Sequence, residues 1–255
     1  FCNTDESEVD EANYLNVLVQ KQVDGVLLVP ARSSPDSAAF LRDRGIPFVV
    51  LDRRIPDADV DTVRGDSEGG AYEIVRHLLH LGHRRIAVIS GPEAVSTAAD
   101  RVGGYRRALS EAGLEPDPAL IHYGQFTQDS GYRMAQAVLA VSPPPTALLT
   151  GNNFIAVGAL RALREAGLHV PDDISLTTFD DLPAAMIVDP FLTVVTQPAY
   201  EMGYRATVLL LDRLAERGPA QPQEIVLPAE LIVRASSGPP PARWQTAAQP
   251  RETNA

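Results

Sequence analysis

Short apolar runs alternate with amphipathic segments of helical period along most of this 255-residue chain, and that rhythm leaves few folds open. Strand-period runs fall at residues 26–29, 48–51, 86–89, 120–123, 147–150, 174–178, 193–196, 224–227 and 231–234. Helix-period segments lie between them, at 35–44, from 66 to about 81, at 97–112, 128–140, 153–166, and from Pro198 to near Gly218. In the segment after Asp66 and Ser67, the apolar residues Ala71, Ile74, Val75, Leu78 and Leu79 recur at one helical face, and Gly82 closes the helix. Gly45, Gly113 and Gly167 stand at the other expected helix ends, Pro35 at a first turn, and Thr127 at a cap. Strands separated by helices of 10–15 residues pair in parallel, with helices covering both faces of the sheet. The fold class is therefore α/β. Beyond Ser237 the period is lost among Pro, Ala and Gln, so residues 237–255 are expected to be a disordered tail.

Sheets of this kind bind ligands at the carboxyl ends of their strands. The residues that follow the expected strands are Asp52, Gly91, Phe126, Asn152, Asp180 and Gln197. All but Gly91 carry a polar or aromatic side chain. That is a site-like pattern, although any fold places polar loop residues at strand ends.

The signatures of catalysis are missing. There is no Gly-x-Ser-x-Gly elbow, no phosphate-cradling Gly-x-x-x-x-Gly-Lys loop and no His-Glu-x-x-His pair. The glycines of Gly65-Asp66-Ser67-Glu68-Gly69-Gly70 are wrongly spaced for a dinucleotide loop. Asp180 and Asp181 are adjacent and point apart, so they do not form an acid/base pair. No cofactor and no metal site is expected, and the single cysteine, Cys2, excludes an internal disulfide. A net charge of −11 opposes direct contact with nucleic acid. His77, His80, His83, Arg84 and Arg85 form a mildly basic cluster, which a solvated helix end explains. No run approaches the ~18 apolar residues that a membrane span requires. Binding is favoured over turnover, in a reducing cytoplasm.

The ordered motifs carry a resemblance. Leu81-Gly82-His83-Arg84-Arg85-Ile86-Ala87, Ile89-Ser90-Gly91-Pro92, Arg101-x-x-Gly104-Tyr105 and Ala159-Leu160-Arg161-Ala162-Leu163 are similar to segments of the lactose-repressor family of bacterial transcription regulators. Val170-Pro171-Asp172-Asp173-Ile174-Ser175, Phe179-Asp180-Asp181, Leu192-Thr193-x-Val195-x-Gln197-Pro198 and Glu230-Leu231-x-Val233-Arg234-x-Ser236-Ser237 follow in the family's order. The resemblance covers roughly residues 1–237.

It implies two Rossmann-like lobes of the periplasmic-binding-protein-like type I fold, with parallel sheets, three inter-lobe crossings and a small polar effector in the cleft. The amino-terminal lobe would comprise residues 1–65 with 198–223, and the carboxy-terminal lobe 66–197 with 224–236. Crossings would fall near 64–66, 197–198 and 223–224. By the same comparison, a first strand and helix and a helix-turn-helix head that reads operator DNA would lie upstream of Phe1, and the regulator would act as a homodimer. A periplasmic sugar-binding protein of a transport system is the alternative.

The resemblance also assigns roles. Arg101 would hydrogen-bond the effector through its rigid fork of donors, against the alternative of a surface helix arginine. Asp180 would accept ligand hydroxyls or cap a helix, Asn152 would donate and accept or make a loop turn, and Phe126 would stack on a sugar face or join the core. Asp52 and Gln197 would contribute less, because a strand-end polar residue often satisfies only backbone groups. The family usually has Asn-Asp where this chain has Asn152-Asn153, so one carboxylate acceptor is lost.

Overall fold

The computed structural model describes residues 1–183 and 190–242. In chain order its elements are α1 (Glu8–Gln20), β1 (Val26–Leu28), α2 (Asp36–Arg42), β2 (Phe48–Leu51), β3 (Thr62–Gly65), α3 (Ser67–His80), β4 (Ile86–Ser90) and α4 (Ser96–Glu111). There follow β5 (Ile121–Tyr123), α5 (Gln128–Leu139), β6 (Ala147–Thr150), α6 (Asn153–Glu165), β7 (Ser175–Phe179), β8 (Thr193–Thr196), α7 (Ala199–Leu214), β9 (Glu224–Leu227) and β10 (Glu230–Ile232). The expected stops hold. Gly45, Gly82, Gly113 and Gly167 all have φ between 67° and 100°, a region that glycine enters without steric cost.

The chain folds into two compact units. The first holds Phe1–Ser67, Glu93–Asp100 and Gln197–Ala229; the second holds the described residues among 68–92, 101–196 and 230–242.

In the first unit four strands form a parallel sheet in the order β1-β2-β3-β9. On one face Val26 and Leu28 pack with Leu15 of α1 and Leu41 of α2. On the other, Val49 and Val63 pack under Met202, Ala206, Leu209 and Leu210 of α7. Buried Asp61 fastens the end of α7 to this sheet: it accepts from Arg213 Nε at 2.6 Å, Arg213 Nη2 at 2.9 Å and the Gln223 amide at 2.8 Å. β1 pairs only with β2, and Leu27 and Val29 beside that edge stay exposed.

Two elements here were not expected. Ser7 caps α1 by accepting from the Asp10 amide, but the helix buries only Glu11 and Leu15, so it shows little apolar period. β3 is four residues, Thr-Val-Arg-Gly, with no apolar run.

β9 corrects the expected boundary. Residues 224–227 were assigned to the carboxy-terminal lobe, yet they pair with β3 from Thr62↔Glu224 to Gly65↔Leu227. Ile225 and Leu227 pack against the α7 cluster, so the chain leaves this unit after Ala229 rather than at Gln223. Residues Glu93–Asp100 also group here, held by hydrogen bonds from the Arg54 amide to Ser96 Oγ and from the Ser96 amide to Ser33 Oγ, both 2.8 Å.

The second unit is built on six strands in the order β10-β8-β7-β6-β4-β5, parallel except for antiparallel β10 against β8. β4, β6 and β7 are buried along their whole length. In β4 and β6 this goes with the near-continuous apolar character of strands covered on both faces, whereas β7, Ser-Leu-Thr-Thr-Phe, buries hydroxyls that are hydrogen-bonded, as Ser175 is to the Gly238 carbonyl. On one of those faces α5 and α6 lie close together because Gly131 and Gly158 leave no Cβ between their backbones.

The tail expectation also needs correcting. Residues 237–242 are placed, with Ser236 and Pro240 buried, and the Gly238 amide donates to Ser175 Oγ at 3.0 Å. Side chains of the sheet, rather than an apolar period, hold this stretch. The remainder of the expected tail, 243–255, lies outside the described residues.

Candidate functional site

At the carboxyl ends of β4, β6 and β7 the second unit gathers four of the six residues singled out. Arg101, on α4, is 4% exposed, so it is not the surface arginine its helix would permit. Its guanidinium lies 4.2 Å from the centroid of the Phe179 ring, and Nη1 donates to the Gly151 carbonyl. A cation stacked on an aromatic face and tied to a carbonyl is held in one orientation before any ligand arrives. Phe179 is the last residue of β7, and its stacking role was missed. A buried aromatic at a strand end looks like core until the neighbouring arginine is placed.

Asn152 is the N-cap of α6, where Oδ1 accepts from the Ile155 amide at 2.9 Å. With the oxygen so engaged, the NH2 is its donor end. Asn153 then gives the departure from the family pattern a physical reason. Its Nδ2 donates to the Asp181 carbonyl at 2.8 Å, a bond that a carboxylate could not make. Asp180 has φ +60°, the left-handed region, and its amide donates to Val195 O at 2.8 Å. The adjacent Asp181 is gripped by Arg234 through two bonds, at 2.6 and 3.0 Å. That hydrogen bonding raises the Arg234 pKa above its ordinary value.

Phe126 lies half-buried with its ring over Gly91, where any Cβ would collide with it. The only strand-end position without a side chain therefore makes room for the aromatic. Part of the ring packs on the core, the second of its two expected roles.

Asp52 and Gln197 belong to the first unit. Asp52 follows β2 with φ +66°, and its amide donates to Val63 O at 2.9 Å. Gln197 lies against Gly65, whose missing side chain leaves space for the carboxamide. Beside them, Arg53 was overlooked. It is 5% exposed and donates to Pro30 O at 2.6 Å, Ala31 O at 2.7 Å and Glu6 Oε1 at 2.7 Å. Nothing in its local sequence distinguishes it from the less buried Arg54, because its partners come from turns more than 20 residues away.

Among the described residues no cluster of His, Cys, Asp and Glu could hold a metal ion, and no helix is long and apolar enough to cross a membrane.

Against known proteins, the family profile described as a periplasmic binding protein-like domain matches residues 75–237. The HTH-type transcriptional repressor CytR of Escherichia coli (strain K12) is 34% identical over 228 residues, covering 89% of this chain and 66% of that protein. The HTH-type transcriptional repressor PurR of Haemophilus influenzae (strain PittEE) is 35% identical over 239 residues, or 92% of this chain and 71% of that protein. Among solved structures, the complex of the transcriptional regulator CelR with cellobiose superposes with a TM-score of 0.84 at 34% identity, covering 91% of this chain and 71% of that one. The chain thus spans just under two thirds of the length of CytR.

Proposed function

This chain belongs to the lactose-repressor family of transcription regulators, and we propose that it is the part of such a regulator that senses a small polar effector. The observation that carries the reading is the fixed Arg101 guanidinium, stacked on Phe179 and tied to the Gly151 carbonyl, which precedes Asn152 in the chain. An oriented donor with Asn152 and Asp180 at strand ends supplies the donors and acceptor by which a hydroxyl-rich molecule is oriented. Arg101, Asn152, Asp180 and Phe126 are the proposed effector contacts of the second unit, and Asp52 and Gln197 those of the first. A sugar or related metabolite is the proposed class, and CelR, solved with cellobiose, supports it.

In this reading the chain catalyses nothing. Effector binding changes the affinity of a homodimer for operator DNA in the cytoplasm, a coupling of typically about 1–3 kcal/mol. Operator contact would come through a helix-turn-helix head outside these 255 residues. Relatives named as repressors favour this over a transport receptor.

A thermal-shift screen of sugars, polyols and nucleosides should yield at least one compound that raises the melting temperature. Arg101→Ala should remove that shift while circular dichroism stays unchanged. A shift that survives in the folded variant would defeat the assignment of Arg101.

A further inference from the structure

The basic cluster near the end of α3 divides: His80 and Arg84 are exposed, as a solvated helix end would have them, but His77 is half-buried and His83 is not solvated at all. His83 is completely buried, and its ring is enclosed by three partners of the second unit. Nδ1 lies 2.8 Å from Thr146 Oγ1; Nε2 lies 2.8 Å from the Gly238 carbonyl and 3.1 Å from Ser175 Oγ. A carbonyl only accepts, so Nε2 carries the proton and Nδ1 accepts from the Thr146 hydroxyl. One turn earlier, His77 Nε2 lies 2.9 Å from Ser237 Oγ. Both imidazoles thus grip consecutive residues of the same short stretch.

That stretch closes across the sheet without being a strand. Ser236 accepts from the Leu176 amide at 2.9 Å, and its hydroxyl accepts from the Thr193 amide at 2.7 Å. Ser237 Oγ lies 2.8 Å from Thr193 Oγ1, and Pro240 rests on Gly82. The sequence from Ser236 to Pro240 carries no charge, so nothing on it can neutralise a cation.

We propose that His77 and His83 are a proton-operated clasp for residues 236–240: as neutral imidazoles they hold this strap on the second unit, and as imidazoliums they release it. Hydrogen bonding alone does not oppose protonation. A proton on Nδ1 would simply turn the Thr146 hydroxyl onto Arg85 O, 3.2 Å away. Charge burial does oppose it. The other charged groups on the last turns of α3 and the loop after it are Glu73, Arg76, His80, Arg84 and Arg85; the single acid among them, Glu73, is paired with Arg76 at 3.1 Å. Of the acids nearby, Asp117 is ion-paired with Arg85 at 3.0 Å, and Asp173 is hydrogen-bonded to the His169 amide at 3.0 Å and lies 3.2 Å from its ring.

Burial pushes the His83 pKa down, the Gly238 carbonyl partly offsets this, and His77 lowers it further. Burial likewise pushes His77 down, assisted by His80. A depressed value in the docked state means that the clasp is intact above the free imidazole value of about 6.5 and weakens as pH falls below it. Each imidazole contributes at most about tenfold per pH unit in that window.

Amide hydrogen exchange on the full chain tests the clasp, with protection at Gly238 and Leu176 corrected for intrinsic rates and compared at pH 7.5 and 5.5. Protection at both should fall about tenfold or more, while the amide of Leu149, inside the sheet, stays protected. His83→Gln keeps a donor and an acceptor without titrating, and should flatten the response at Gly238. His77→Gln should reduce it. Constant protection in the wild type, equal loss at Leu149, or an undiminished response in both variants would each overturn the proposal. If His83→Gln does not fold, the imidazole resonances of the wild type decide instead. Titration of His83 at or above the free value refutes the clasp, and titration below it, together with a reduced response in His77→Gln, supports it.

Discussion

The two units solve the same problem with unequal means. The second covers both faces of a six-stranded sheet, and its central strands present no exposed residue. The first has four short strands, smaller apolar clusters and three buried ionisable groups, against Arg101 and His83 in the second. Glu11, Arg53 and Asp61 are each at most 6% exposed. Glu11 accepts from the Ala31 amide and the Ser37 hydroxyl, Arg53 ties two carbonyls of the β1–α2 turn, and Asp61 holds Arg213. Apolar area stabilises without regard to direction, whereas these bonds depend on geometry and leave costly orphans if one partner is lost. The first unit should therefore be the more sensitive to polar substitutions, and the second to cavities.

The largest expected effect lies in the second unit. Leu148, at the centre of β6, is fully buried and walled in on every side. Leu148→Ala should cost about 4 kcal/mol, because neighbours packed this tightly cannot collapse into the space. Leu28→Ala, in the smaller cluster between α1 and α2, should cost only about 2 kcal/mol, since partly buried neighbours such as Leu18, Val23 and Phe40 can relax into the space. Urea denaturation of the two variants measures both. Equal losses would mean that the smaller cluster is as rigid as the larger core.

What could be foreseen from the residues follows the same division. The second unit was legible because covered strands are apolar runs and its helices end on glycines such as Gly82, Gly113 and Gly167. In the first unit α1 and β3 escaped notice because polar contacts, not periodicity, hold them. β9 looks like the neighbour of β10 in sequence, but its pairing partner β3 lies about 160 residues earlier. Residues 237–242 seemed shapeless because their order comes from Ser175 and His83. Residue types at the site were readable from strand ends. The burial of Arg101 and its stacking on Phe179 were not, because both depend on how α4 packs against β7.

A second pair of substitutions compares the ion pairs of the two units. Asp61 carries three hydrogen bonds in a site that excludes water, so Asp61→Ala should cost about 3 kcal/mol, most of it from stranding Arg213. Asp181 makes a similar two-pronged contact with Arg234, but its side chain is 36% exposed. Asp181→Ala should therefore cost about 1 kcal/mol, since solvent can take over the guanidinium. Raising salt to 1 M should narrow the wild-type advantage more at Asp181 than at Asp61, because exposed pairs are screened first. If the order of the two costs were reversed, polar anchoring would not be what distinguishes the first unit.

The smallest effect separates structure from sensing. Asp52 and Asp180 occupy equivalent places, each at a strand end, each with φ near +60°, and each donating its amide to a valine carbonyl of the adjacent strand. An aspartate in this conformation costs roughly 1 kcal/mol that glycine avoids. If the carboxylates served only the fold, glycine would weaken it. If they are kept for an effector, Asp52→Gly and Asp180→Gly should each gain up to about 1 kcal/mol in urea denaturation, because the left-handed strain is relieved. Asp180→Gly should at the same time lose the effector-dependent thermal shift, and Asp52→Gly should lose less of it, in keeping with its secondary role. A loss of stability in Asp180→Gly with the thermal shift intact would assign the carboxylate to the fold alone.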